Sequence, residues 1–376
     1  MGGVNALMQA VILAGGPSSR LHPVDTALPK PLLPLFDRPI LEHTIKLLAR
    51  HGIEDVVVTL SDEAMDVAHY FGDGRRFGVR IRYSVESEPL GTAGALRSIQ
   101  EMAGDTFLVV PGDAITDLDL TAAFAAHRSS GASATILTYE ADDPTLHTCL
   151  AQIETRVARV AVKPTSDQVF TNTVSTGIGI FAREILTLIP PFESRDIDRD
   201  ILPRLLHNRE PVHGCRVSGY WCDAGHPLSY RGAHFDALAG KLKLDLPATH
   251  IGEGIWLGDR VEVHPAAEIT GPVYLGTGAV VRRGAALGER TIVGENTLIE
   301  ENARISRSII GSGCHVGREA TITGSIIGAA LGAKALPEKW VKPLGGKLAT
   351  TVIGFPLPEI AELAQRTMVQ IERVLA

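Results

Sequence analysis

Two hydrophobic periods divide the chain. Up to about residue 240, short β-branched and aliphatic runs alternate with stretches whose apolar positions recur every three or four residues. Strands are predicted at Gln9–Leu13 (QAVIL), 55–60 (DVVVTL), 79–84, 106–110 (TFLVV) and 132–139. Helices are predicted at Ile40–Arg50, 63–71, 92–102, 120–129 and Pro227–Leu238. The first of these carries Ile40, Leu41, Ile45, Leu47 and Leu48 on its apolar side and stops just before Gly52, where a left-handed cap residue belongs. Strand–helix alternation with near-continuous apolar strands predicts an α/β, Rossmann-like, mostly parallel sheet with helices on both faces. Ligands of such sheets bind beyond the C-terminal strand ends.

From Ile251 the period becomes six. Ile251, Leu257, Val263, Ile269, Leu275, Val281, Leu287, Val293, Ile299 and Ile305 are ten aliphatic residues in register, and after a slip of one the series resumes at Ile310, Val316 and Ile322. Glycine directly follows the aliphatic residue at 252, 258, 276, 288, 294, 311 and 317. This is the hexapeptide signature of a parallel β-helix, about four coils of roughly eighteen residues each. The expected organisation is therefore an α/β domain over 8–240, a linker at 241–250, a β-helix over 251–328 and a tail at 329–376. Apolar positions Ile360, Leu363, Met368, Ile371 and Val374 predict an amphipathic helix within that tail.

Composition narrows the partners. With 36 Lys+Arg against 43 Asp+Glu the net charge is −7 and no basic block occurs, which argues against nucleic acid or an anionic membrane surface. Cys149, Cys215, Cys222 and Cys314 are scattered without zinc-ligand spacing, as for thiols in a reducing compartment. The N-terminus lacks a basic n-region and no apolar run reaches the ~20 residues of a membrane span, so a soluble, cytoplasmic protein is expected.

The polar residues that break the apolar runs carry the chemistry. Leu13-Ala14-Gly15-Gly16-Pro17-Ser18-Ser19-Arg20 follows the first strand, where paired glycines let backbone amides approach an anion and Arg20 offers a fork of donors. Lys30 stands between Pro29 and Pro31. Glu88-Pro89-Leu90-Gly91-Thr92-Ala93-Gly94 is built of small residues suited to a flat base. Gly112-Asp113 ends the strand at 106–110, Lys163 precedes Pro164, and Asp223 lies in Trp221-Cys222-Asp223-Ala224-Gly225. Two carboxylates that can hold Mg²⁺, with two lysines and an arginine around a phosphate loop, fit transfer of a phosphorus centre.

In this order the motifs resemble those of the sugar-1-phosphate nucleotidyltransferases (nucleotide-sugar pyrophosphorylases), closest to bacterial mannose-1-phosphate guanylyltransferases with a C-terminal left-handed β-helix. The resemblance spans roughly 8–328. It implies in-line attack of a sugar 1-phosphate on the α-phosphorus of an NTP, GTP in the first instance, with loss of pyrophosphate. It further implies that Leu13, Ala14, Gly15, Gly16, Ser18, Ser19 and Gly112 cradle the nucleotide, and that Glu88, Gly91 and Thr92 bound the base. Arg20 and Lys30 would compensate phosphate charge, Asp113 and Asp223 would hold Mg²⁺, and Lys163 would grip the sugar phosphate. Ser175, Thr176 and Gly177 occupy the place of the family's sugar-contacting Asn-x-Gly.

The chain departs from the family on the sugar side. Val162 stands where a Glu usually precedes Lys-Pro, Ser175-Thr176-Gly177 replaces Asn-x-Gly, and Pro17-Ser18-Ser19-Arg20 replaces the second glycine and the threonine of a Gly-x-Gly-Thr-Arg loop. These changes leave room for a modified acceptor, such as a cyclitol phosphate. Three alternatives remain at this point: a non-catalytic sugar-nucleotide-binding subunit, an adenylyl-, thymidylyl- or uridylyltransferase acting on glucose 1-phosphate, and a β-helix acyltransferase using His264 or His315. A homodimer or homotetramer through the β-helix is also expected.

Overall fold

The computed structural model describes residues 8–16 and 28–327. The loop residues Pro17, Ser18, Ser19 and Arg20 lie outside the described residues, as does the helix expected in the tail. The chain divides into two compact units, one comprising Met1–Arg20, Pro29–Leu32 and Ile40–Ala224, the other Leu21–Leu28, Leu33–Pro39 and Gly225–Ala376.

In the first unit, β1 (Gln9–Leu13) is fully apolar apart from Gln9 and is followed later by α1 (Ile40–Arg50), β4 (Asp55–Ser61) and α2 (Met65–Phe71); the short β2 (Pro34–Leu35) and β3 (Arg38–Pro39) between them belong to the second unit. Next come β5 (Arg80–Glu86), α3 (Gly91–Ser98), β6 (Thr106–Pro111), β7 (Ala114–Thr116) and α4 (Leu120–Ser130). The remainder is β8 (Ala134–Glu140), β9 (Thr148–Ile153), β10 (Arg156–Val162), β11 (Thr173–Ala182), α5 (Leu202–His207), β12 (Val212–Arg216) and β13 (Trp221–Asp223).

Nine of these strands form one sheet in the order β5-β4-β1-β6-β11-β8-β12-β10-β9. The first four run parallel, and β4, β1 and β6 are buried on both faces, which is why Val56–Val58 and Phe107–Val110 read as unbroken apolar runs, while the edge strand β5 stays half exposed. Beyond β6 the sheet becomes mixed, because β11 runs antiparallel to both β6 and β8. Two apolar clusters cover its faces, one around Ile45, Leu48 and Val58, the other around Val11, Leu96 and Phe107. The predicted helix at 92–102 is shorter in the structure: α3 ends at Ser98, and the turn after it delivers the Gly104 amide to the Gln9 side chain at 2.8 Å.

The second unit contains α6 (Pro227–Leu238), capped by His226, the β2–β3 hairpin, and fourteen short strands, β14–β27, between Thr249 and Ile327. Except for β14, these pair in parallel from one coil to the next, forming a parallel β-helix. Leu257, Leu275 and Val293 stack eighteen residues apart, whereas Val293, Ile310 and Ile327 stack seventeen apart. One residue fewer in the third coil accounts for the slip in the sequence period. Ile251 obeys the six-residue spacing but not the stack: its strand β14 (Thr249–Gly252) is antiparallel to β15 (Ile255–Leu257), and Ile251 is 58% exposed. Leu275 through Ile322 fill the interior. The glycines after the aliphatic positions are required by close approach; a Cβ on Gly294 would stand 2.6 Å from the Ser312 amide nitrogen of the next coil.

The hairpin seats on the β-helix within this unit. Phe36 packs against Tyr274 and His234, with ring centroids 4.8 and 5.0 Å away. Asp37 accepts the Tyr274 hydroxyl at 2.6 Å and the Glu295 amide at 3.1 Å, and burial pushes its carboxyl up to about 6.

Candidate active site

The C-terminal ends of β1, β4, β5 and β6 lie side by side, with Leu13 aligned to Thr59 and to Pro111, and Ser61 to Glu86. The loops that carry Gly15, Glu88 and Gly112 therefore leave the sheet along one edge. The Ala14 amide bonds the Thr59 carbonyl at 3.0 Å and the Gly112 amide bonds the Leu13 carbonyl at 2.8 Å. These bonds leave no space for side chains. A Cβ on Gly112 would be 3.0 Å from that carbonyl, and one on Gly15 would be 3.1 Å from the Ser61 nitrogen. Among the described residues nothing lies within 4 Å of a Cβ placed on Gly16.

Two acidic residues are brought next to this loop by a small antiparallel ladder. β7 pairs with β13, setting Asp223 opposite Ala114, and the Ala224 amide donates to the Asp113 carbonyl at 3.3 Å. The backbones carrying Asp113 and Asp223 are thus immediate neighbours. Among the described residues no group of three or more His, Cys, Asp or Glu gathers for a metal ion. A pair of hard oxygen donors without a third protein ligand fits Mg²⁺, which retains water and takes its other ligands from substrate phosphates.

Lys30 is buried in a single helical turn, Lys30–Leu32, and among the described residues no carboxylate pairs with its ammonium. A buried cation is costly unless an anion or hydrogen-bond acceptors lie beside it. Lys163 sits just past β10 with φ at 43°, a left-handed conformation costly for a side chain of its size, and its amide donates to the His147 carbonyl at 3.0 Å.

On the base side, the expected residues differ in their surroundings. Glu88 is exposed, and Gly91 and Thr92 are held by the segment after residue 193. A Cβ on Gly91 would fall 2.6 Å from the Arg195 carbonyl oxygen, so glycine is needed there for packing. The Thr92 amide and hydroxyl both reach Asp196 Oδ1 at 3.3 Å, and its oxygen accepts the Ile197 amide at 2.8 Å. The inward-facing carboxylate is Glu86, two residues before Glu88. It is 8% exposed and takes the Leu90 amide on Oε2 at 3.2 Å. Its Oε1, without a hydrogen-bond partner among the described residues, lies 3.7 Å from where a Gly15 Cβ would be. Burial raises its carboxyl, against the Leu90 hydrogen bond. The available signal was the Glu-x-Glu pair at the end of a strand; burial chose between its members.

Ser175, Thr176 and Gly177 form a bulge in β11, where its register against β8 shifts. The Thr176 hydroxyl donates to the Leu137 carbonyl at 2.9 Å and accepts the Ile178 amide, which makes it a brace of the bulge. Gly177, with φ at 73°, lies against Pro111, bringing the bulge next to Gly112 and Asp113. On the β-helix, His264 Nδ1 accepts the Ala266 amide, and exposed His315 pairs with Glu300 at 3.2 Å beside Arg318, an arrangement of surface charges rather than a cleft.

A glycine-lined strand-end loop, a buried lysine and two acids on neighbouring backbones are the kinds of groups that transfer of a phosphorus centre uses. Comparison with known proteins bears on the same stretch. The family model described as Nucleotidyl transferase matches residues 9–240, and one described as GMPPB C-terminal domain matches 269–342. The chain is 31% identical over 337 residues to a UTP–glucose-1-phosphate uridylyltransferase of Synechocystis, covering 85% of this chain and 82% of that protein. It is 30% identical over 286 residues to a mannose-1-phosphate guanylyltransferase of Mycobacterium tuberculosis, covering 76% and 77%. A solved structure of a candidate glucose-1-phosphate thymidylyltransferase from Bacillus anthracis, in complex with sucrose, superposes with TM-score 0.57 at 27% identity over 63% of this chain and 96% of that one. The chain belongs to the nucleotidyl transferase family, within its sugar-1-phosphate nucleotidyltransferases.

Proposed function

We propose that the protein condenses GTP with a mannose-1-phosphate-like acceptor, including ring-modified or cyclitol phosphates, to give an NDP-sugar and pyrophosphate. The observation that carries the base assignment is the Glu86 Oε1, which has no hydrogen-bond partner among the described residues. A carboxylate only accepts hydrogen bonds, and among the common bases guanine alone presents two adjacent donors, N1–H and N2–H₂, on its pairing edge. Uracil and thymine present one donor between two carbonyl oxygens, and adenine and cytosine present a bare ring nitrogen. Such a contact discriminates by about 1–3 kcal/mol.

The acceptor phosphate is already ionised near neutral pH, so no general base is required. Its oxygen forms a bond to the α-phosphorus as the bond to the β-phosphate bridging oxygen breaks, and pyrophosphate departs with that electron pair. The amides around Gly15 and Gly16 orient the triphosphate. Lys30 compensates negative charge at the α-phosphate and Lys163 holds the acceptor phosphate. Arg20 is assigned to the departing pyrophosphate. Asp113 and Asp223 would hold Mg²⁺, which supplies charge neutralisation and in-line alignment of the phosphates when bound.

Pyrophosphate release measured across GTP, UTP, dTTP, ATP and CTP, each with mannose 1-phosphate and glucose 1-phosphate, is expected to peak with GTP and mannose 1-phosphate. Activity is expected to vanish with EDTA and return with Mg²⁺, and Asp113→Asn or Asp223→Asn is expected to lower kcat by at least ~10²–10³-fold. Silence across the panel with folded protein overturns the proposal. One observation favours a second reading, uridylyl transfer: the relative 31% identical over 85% of this chain is a UTP–glucose-1-phosphate uridylyltransferase. A maximum with UTP selects that reading.

A further inference from the structure

Val162 leaves the acceptor side of the site without the carboxylate that position would otherwise supply. It ends β10 and is 42% exposed. Directly opposite it across the β9–β10 ladder is Thr148, so the two side chains share one face of the sheet. Thr148 is 7% exposed, and its hydroxyl lies on the side of Asp198, close enough to favour that carboxylate's charged form. Asp198 belongs to a single π-helical turn, Ile197–Ile201, which packs against β10. Such turns are uncommon and recur at functional sites.

The neighbours of Asp198 leave its oxygens underused. Arg199 pairs with Asp196 at 2.8 Å and with Asp200 at 3.6 Å, and among the described residues no cation pairs with Asp198. Burial raises its carboxyl and the Asp196 charge adds to this, with the Thr148 hydroxyl opposing. One donor on a group with about four acceptor positions leaves room for a ligand hydroxyl. The preceding residues are pinned to the base-side loop by the Ile197–Thr92 and Asp196–Thr92 bonds, so the turn is held firmly in place.

We propose that Asp198, presented by the π-turn and steadied by Thr148, hydrogen-bonds a ring hydroxyl of the acceptor and so determines which polyol phosphate is used. It restores, from a neighbouring element, the acceptor missing at position 162. This rests on the function proposed above, in which Lys163, the residue after Val162, holds the acceptor phosphate.

The test is calorimetric titration of the full chain with GDP and with GDP-mannose. Asp198→Asn keeps an oxygen for Thr148 and is expected to bind GDP as the wild type does while weakening GDP-mannose about 10- to 100-fold. Adding Val162→Glu to that variant is expected to recover part of the loss, a rescue that a purely structural role for Asp198 does not produce. In turnover, the acceptor KM is expected to rise with the GTP KM unchanged. GDP-mannose binding within twofold of wild type in Asp198→Asn, or GDP and GDP-mannose weakened equally, overturns the proposal. Wild-type protein that binds neither ligand overturns the functional reading together with it, whereas binding of both, unchanged in the variant, overturns this proposal alone.

Discussion

Glu86 in the α/β unit and Asp37 in the β-helix unit are both acids withdrawn from water, and in both the lost hydration raises the carboxyl. Their oxygens differ. Asp37 is closed in by its own unit: the Tyr274 hydroxyl at 2.6 Å, the Glu295 amide at 3.1 Å, and Gly276 so near that a Cβ there would fall 2.3 Å from Oδ2. Glu86 accepts one amide and keeps Oε1 without a partner among the described residues, beside a glycine loop at the edge of a parallel sheet. A buried acid whose partners are all intramolecular belongs to the architecture, and one with an open lone pair at a strand end is a place for a ligand.

The largest effect expected to separate the two is chemical. Glu86→Gln is expected to lower kcat/KM for GTP about 10- to 100-fold while leaving Tm unchanged or raised, since an amide replaces a desolvated acid. Steady-state kinetics with each NTP, alongside thermal unfolding, checks this; unchanged base preference with a lower Tm would make Glu86 a structural acid like Asp37. Next comes Gly276→Ala, whose added methyl meets the Glu295 nitrogen at 2.7 Å as well as Asp37. It is expected to cost about 1–3 kcal/mol of stability by overpacking, seen as a lower Tm. An unchanged Tm would show that the Asp37 pocket yields, and the distinction drawn above would weaken.

The smallest effect is the pH dependence of Asp37. Its carboxyl sits at about 6 in the folded chain against an ordinary 3.8, so between those values the folded state holds more protons than the unfolded one. Stability from this group is complete below pH ~4, falls as pH rises toward 6 and stays low above. Asp37→Asn removes that fall. The variant is expected to match the wild type near pH 4 and exceed it by about 1–2 kcal/mol at pH 7.5. Thermal unfolding at several pH values decides, and a wild type more stable at pH 7.5 would mean that the two hydrogen bonds to the carboxylate outweigh its burial.

Much of the fold was legible along the chain because the forces that set it are periodic. Helix Ile40–Arg50 showed both its apolar face and its stop, and the hexads from Leu257 onward showed a stack in which each side chain meets its equivalent one coil later. Spacing misled at Ile251, since a six-residue interval is silent on whether the next strand runs parallel. It misled again at the end of α3, where a contact with Gln9, 95 residues away in sequence, helps define the turn that follows.

The site was legible as a set of loops and less so as a set of side chains. Asp113, Asp223, Gly15 and Gly112 follow from their positions at strand ends, and the structure brings their backbones to one sheet edge. The burial of Glu86 beside an exposed Glu88, the hydrogen bonds of Thr176, and the packing of the turn carrying Asp198 against β10 were not readable. Each depends on which distant strand covers the residue and which partner that strand supplies. Sequence alone determined the two architectures, the order of the loops and the chemical types at their tips, because these arise from local periodicity and turn chemistry. Tertiary structure decided which acids lose water and which of those retain an unused oxygen, because desolvation and hydrogen-bond satisfaction are set by neighbours remote in the chain.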